Sequence, residues 1–130
     1  MKPAPDFDPI AAARRLLREG RSGALGTLMA GSGVDVGGPY CSLVNVATLP
    51  DGSPLLLISK LAVHTKNILT DARVSLMLDE RKDGDPLQGA RVMLTGRAMT
   101  SDRCRCVYNR RAPATSSPTE CCCRAQEHSR

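Results

Sequence analysis

Residues 55–79 read LLLISKLAVHTKNILTDARVSLMLD, and this stretch decides the fold. It opens on a short apolar run, Leu55-Leu56-Leu57-Ile58, after the turn residues Pro50-Asp51-Gly52-Ser53-Pro54. It closes on a second run, Val74-Ser75-Leu76-Met77-Leu78. Between them Leu61, Thr65, Ile68 and Leu69 recur at helical spacing, which predicts one inner stripe on a helix of about three turns. The order is strand, helix, strand. At the first junction stand Ser59, Lys60, His64, Thr65 and Lys66: two hydroxyls, two cations and an imidazole. The free N–H groups and positive dipole end of a helix start favour an anion, and these side chains add to that preference. The junction is therefore expected to be a phosphate site.

Upstream, Asp8-Pro9 leads into IAAARRLLREG, residues 10–20. Asp8 suits the cap, Pro9 the first helical position and Gly20 the stop. Ile10, Ala13, Leu16 and Leu17 are the expected inner stripe. Residues 23–29, GALGTLM, read as a strand whose small residues invite close approach by another element. The glycines of residues 31–39 precede a strand rather than a helix, so they predict a hairpin loop and not a dinucleotide fingerprint.

Residues 40–49, YCSLVNVATL, alternate as a strand, with Cys41, Leu43, Asn45 and Ala47 on one face and Ser42, Val44, Val46 and Thr48 on the other. Asp51-Gly52 at the next turn predicts a hairpin with the Leu55–Ile58 run. The polar loop 81–89 and a last alternating strand, ARVMLTGRAM over residues 90–99, follow. Hairpin-linked strands with two helices predict a mainly β fold, a small antiparallel barrel rather than a doubly wound parallel sheet.

The 130 residues suffice for one domain. No apolar stretch reaches the roughly 18 residues of a membrane span. The N-terminus lacks the apolar core of a signal peptide, which makes a cytoplasmic location the expectation. The net charge of +5 is uneven: residues 1–102 hold twelve Lys/Arg against eleven Asp/Glu, whereas residues 103–130 hold six Arg against two Glu. With one Phe, two Tyr and no Trp to stack on bases, this distribution argues against nucleic-acid binding.

The body, residues 1–102, is thus set off from a tail, residues 103–130, rich in Arg, Ser and Cys. Cys104, Cys106, Cys121, Cys122 and Cys123 lack the paired spacing of a zinc cluster, so no metal is expected. A disordered arm or a slipped reading frame accounts for the tail's composition. Cys41 is expected to pack as a small hydrophobe, since no base for a nucleophile stands near it in sequence. Asp79-Glu80 and Asp83/Asp85 are expected in a solvated charged turn.

The segments GALGTL (23–28), PYCSLV (39–44), LISKLAVHTKNI (57–68) and RVSLM (73–77) resemble the pyridoxamine 5′-phosphate oxidase-like, FMN-binding split-barrel family, and in particular its branch of haem-utilisation proteins. The most specific part is Leu-Ala-x-His-Thr-x-Asn after a Ser at the strand end. The resemblance, over about residues 10–100, implies a split β-barrel that forms a homodimer with FMN held between subunits. It puts His64, Thr65 and Lys66 at the FMN phosphate, Ser59 beside them, and Ser42 and Asn45 along the isoalloxazine ring. Spacing alone favours a solvated Lys66 and a surface His64; the resemblance turns the balance toward phosphate.

The family continues beyond the 90–99 strand into a segment that closes the barrel. Nothing in residues 103–130 matches it, so the closing segment is expected to be missing. The implied function is an FMN-dependent oxidoreductase acting with a small organic substrate, an electron donor or oxygen. The alternatives are a non-catalytic module for flavin or haem, or a truncated, inactive member. Because a flavin carries the redox chemistry, no catalytic residue need be found in the chain.

Overall fold

A computed structural model describes residues 5–80, 83–100 and 120–127. The elements run α1 (Pro9–Glu19), β1 (Ser22–Leu28), β2 (Pro39–Thr48), β3 (Pro54–Ser59), α2 (Val63–Thr70), β4 (Arg73–Asp79), β5 (Arg91–Thr100) and β6 (Glu120–Glu127). All strand pairs are antiparallel, and the ring runs β1-β2-β3-β6-β5-β4. This is a split barrel with two helices.

Local chemistry sets the elements. Asp8 Oδ1 accepts the N–H groups of Ile10 (2.9 Å) and Ala11 (3.1 Å), capping α1 as expected. The β2–β3 hairpin turns at Gly52, whose φ of +89° is a conformation that favours glycine. Asp51 Oδ1 braces that turn through the N–H of Ser53 at 2.9 Å. Along the strands the period of two sends Leu25, Val44, Val46, Leu56, Ile58, Val74, Leu76, Leu78 and Ala98 into the barrel, where Ile68 of α2 joins them. Each such leucine contributes about 1.5–3 kcal/mol of burial.

The helices depart from their expected stripes. Ile10 is 64% exposed, because α1 leans on the barrel through its second half, where Leu16 is buried and Leu17 packs against the core. In that half the Thr48 hydroxyl donates to the Leu17 carbonyl, and Arg15 reaches Glu80 at 3.0 Å. On α2, Thr65 and Ile68 face inward, but Leu61 and Leu69 are exposed. Leu61 precedes the helix, and Asn67 takes the inward place beside Ile68.

One expectation is corrected. The closing segment predicted to be missing is supplied by β6. It pairs with β3 from Leu55↔Arg124 to Ser59↔Glu120 and with β5 from Gly96↔Glu127 to Thr100↔Cys123. Without it, β3-β2-β1-β4-β5 is a curled sheet with two open edges, and unpaired edge groups are strong templates for a further strand. The pairing uses backbone groups, which is why Glu-Cys-Cys-Cys-Arg-Ala-Gln-Glu carries little strand signal in its side chains. The remainder of the tail predicted to be disordered or frame-slipped lies outside the described residues, as do Cys104 and Cys106.

Candidate functional site at the β3–α2 junction

The strand polarity brings the end of β3, the start of α2 and the β1–β2 loop to one end of the barrel. There Ser59 organises the turn into the helix. Its carbonyl accepts the Ala62 N–H at 3.1 Å and the Thr65 hydroxyl at 2.5 Å, while its Oγ accepts the Leu61 N–H at 3.2 Å. The first bond into the helix is Lys66 N–H to the Ala62 carbonyl, at 3.2 Å. Ala62, at the cap position, has no side chain able to cap. Among the described residues nothing accepts the N–H groups of Val63, His64 and Thr65, so the positive end of α2 keeps its anion-binding capacity.

The predicted residues divide. Ser59, His64, Thr65 and Lys66 come together at the junction. Lys66 is exposed, and its ammonium has no partner among the described residues. Thr65 is 1% exposed and its hydroxyl is spent on Ser59, so its side chain braces the turn while its N–H faces the helix start. His64 is half-buried; its Nε2 is buried with no partner, and burial holds the imidazole pKa below the ordinary 6.5.

Ser42 and Asn45, three apart on β2, fall on opposite faces. Asn45 is exposed on the outer face, paired with Leu57 two residues before Ser59. Ser42 points inward beside Val44, and its Oγ is buried without a partner. Cys41 is exposed on the outer face rather than packed as expected.

Asn67 is the residue whose part the sequence conceals. It is 1% exposed; its Oδ1 accepts the Ala30 N–H at 2.9 Å and its Nδ2 donates to Thr27 Oγ1 at 3.0 Å. One amide thereby ties α2 to the end of β1 and to the loop beyond it. The signal available was the Asn closing the Leu-Ala-x-His-Thr-x-Asn segment, but its partners lie 37 and 40 residues away.

A six-stranded split barrel with an uncapped, anion-suited helix start defines the class. The chain belongs to the pyridoxamine 5′-phosphate oxidase family, whose model matches residues 10–105. A curated relative, the chloroplastic "Non-canonical heme oxygenase HOZ" of Arabidopsis thaliana, is 36% identical over 93 residues, 72% of this chain and 27% of that protein. A crystal structure of a protein of unknown function from Agrobacterium tumefaciens superposes with a TM-score of 0.79 at 29% identity, covering 99% of this chain and 58% of the other.

A heme binding protein from Mycobacterium smegmatis superposes with a TM-score of 0.76 at 23% identity, over 98% of this chain and 52% of that one, a likeness of fold. The chain spans about a quarter of the curated relative's length and little over half of these two structures. Among the described residues no helix is long and apolar enough to cross a membrane, and no cluster of His, Cys, Asp or Glu is arranged to hold a metal ion.

Proposed function

We propose that this protein is an FMN-binding flavoprotein that exchanges electrons with a small organic partner or oxygen. One observation supports the reading: among the described residues three N–H groups at the start of α2 have no acceptor, and the same turn carries Lys66, whose ammonium has no partner among them. A phosphate near two negative charges matches that donor set, with Lys66 as the point charge and the Ser59 hydroxyl within the same turn. His64, held toward its neutral form by burial, offers hydrogen bonding rather than charge. The outer face of β2 and β3, with the Asn45 amide beside Leu57, suits the edge and body of a flat ring.

A bound flavin supplies the redox chemistry; the chain's part is to hold the phosphate, bed the ring and leave one face open. Ser42 faces into the barrel rather than sharing the face of Asn45, so in this reading only its backbone meets the ring. Exposed Leu61 and Leu69 flank the junction and favour a second copy of the chain as its cover, in keeping with a homodimer. A cytoplasmic setting belongs to the same proposal.

The relatives named for heme support a second reading, in which haem is a ligand of the same protein, as substrate of the flavin or as cargo without turnover. Titration separates these. Lys66→Ala is expected to weaken FMN by about 10–100-fold, the worth of one charge-assisted hydrogen bond, and to leave riboflavin nearly unchanged. Equal losses for both ligands would remove the phosphate from this junction. Reduction of the bound flavin by NADH or NADPH, with reoxidation in air, distinguishes an enzyme from a holding module.

A further inference from the structure

We infer that the β1–β2 loop is an autoinhibitory strap: it swings across α2 and sets the Asp35 carboxylate on the Lys66 ammonium, so that an incoming phosphate must displace it. The consequence for flavin binding rests on the reading above; the strap itself does not.

The loop has a fixed base and a free tip. At the base the Met29 N–H donates to the Gly38 carbonyl and the Gly37 N–H to the Met29 carbonyl, each at 2.8 Å. Asn67 Oδ1 holds the Ala30 N–H at 2.9 Å, so the base is fastened to α2 itself. Beyond Ala30 the chain reads Gly-Ser-Gly-Val-Asp-Val-Gly over residues 31–37. Gly31, Gly33 and Gly37 hold φ of +111°, +118° and +78°, and a Cβ on any of them would meet nothing within 4 Å. Glycines in open space let the tip turn against its base.

The tip and the helix carry complementary side chains. Val34 is 100% and Val36 52% exposed, two apolar groups left in water. Between them Asp35 makes no ion pair among the described residues. On α2, Val63 is partly exposed and stands four residues before Asn67, on the flank of the helix that is tied to the loop. Lys66, next to Asn67 in sequence, is exposed, and its ammonium is unpaired among the described residues.

The reach is sufficient. Three residues join Asp35 to Gly38 at the base, a tether of about 10 Å when extended. Val63 and Lys66 both lie within about 6 Å of Asn67 along the helix axis, at 1.5 Å of rise per residue. The structure shows the strap open. Closing it moves the two valines onto Val63 and brings opposite charges together. Asp35 and a phosphate then claim the same ammonium, and each excludes the other.

The test uses the full chain without ligand. A water-soluble carbodiimide joins a carboxylate to an amine in direct contact as an amide, the reagent taking up the water released. It is expected to link Asp35 to Lys66, read by mass spectrometry of a digest, and excess inorganic phosphate to suppress the link. Val34→Ser with Val36→Ser is expected to cut the yield to about half or less. In titrations Asp35→Asn is expected to tighten FMN about threefold, the gain for a strap closed about two-thirds of the time, and to leave riboflavin unchanged.

No link to Lys66, a link to Lys60 in its place, or a yield indifferent to the valine substitutions would overturn the strap. So would an unchanged FMN affinity in Asp35→Asn, in a chain that binds FMN. A valine-dependent link in a chain that binds neither FMN nor phosphate would uphold the strap and refute the phosphate site.

Discussion

Removing the Asn67 carboxamide tests the coupling between the helix and the barrel. In Asn67→Ala the Ala30 N–H loses its 2.9 Å acceptor and the Thr27 hydroxyl its 3.0 Å donor, at a site that is 1% exposed. A buried polar group left unsatisfied costs about 1–3 kcal/mol, and two of them cost about 2–5 kcal/mol if water reaches one in part. Against a total stability of about 5–15 kcal/mol this is a large fraction. Urea or guanidinium unfolding followed by circular dichroism measures it, with a lowered midpoint at unchanged slope.

Asn67→Asp gives the complementary result. Its carboxylate still accepts from Ala30 N–H, and Thr27 can turn its hydroxyl to donate, but the buried charge disfavours the folded state. That variant should therefore gain stability relative to wild type as pH is lowered toward the range where the carboxylate protonates. A loss below about 1 kcal/mol in Asn67→Ala would show that the amide is not what fixes α2 to β1, and the reasoning would fail.

Stability should also fall as pH drops through about 6.5, because His64 binds its proton more weakly folded than unfolded; the unfolded chain then takes up more protons, and His64→Gln should flatten that slope in thermal melts. Leu76→Ala, at the centre of the barrel, should cost about 2–5 kcal/mol in chemical denaturation. Deleting residues 120–127 removes five register pairs on each side of β6, and should lower the unfolding midpoint and promote self-association measurable by light scattering. Thr65→Val keeps the shape but drops the bond to the Ser59 carbonyl, and should cost about 1 kcal/mol or more in the same unfolding assay.

The barrel was legible where side chains alternate. Residues 40–49 and 90–99 each send successive side chains to alternate faces, with Val44 and Val46 on the face that turns out to be buried, and the turn at Asp51-Gly52 joins the strands expected to pair. The junction was legible too, as a polar cluster between an apolar strand and a helix. What eluded sequence was set by distant partners. Thr65 and Lys66 are neighbours of similar promise, yet one hydroxyl turns inward to Ser59 and the other side chain remains in water. Ser42 and Asn45 were separable by the strand period alone, although both were expected along one ring. The row from Cys41 through Gly26 to Ser75 exists only in the register of three strands, and Ile10 was misplaced because helical spacing does not say which half of α1 meets the barrel.

The position of β6 has a consequence for how the chain is made. Its partners in β3 lie 61 residues away at Ser59↔Glu120 and 69 at Leu55↔Arg124, so the ring cannot shut until the final eight described residues have left the ribosome. Until then the nascent sheet holds two raw margins, and such long-range closure is slow compared with hairpin formation. Synthesis thus passes through an interval in which those margins are open to strands of neighbouring chains.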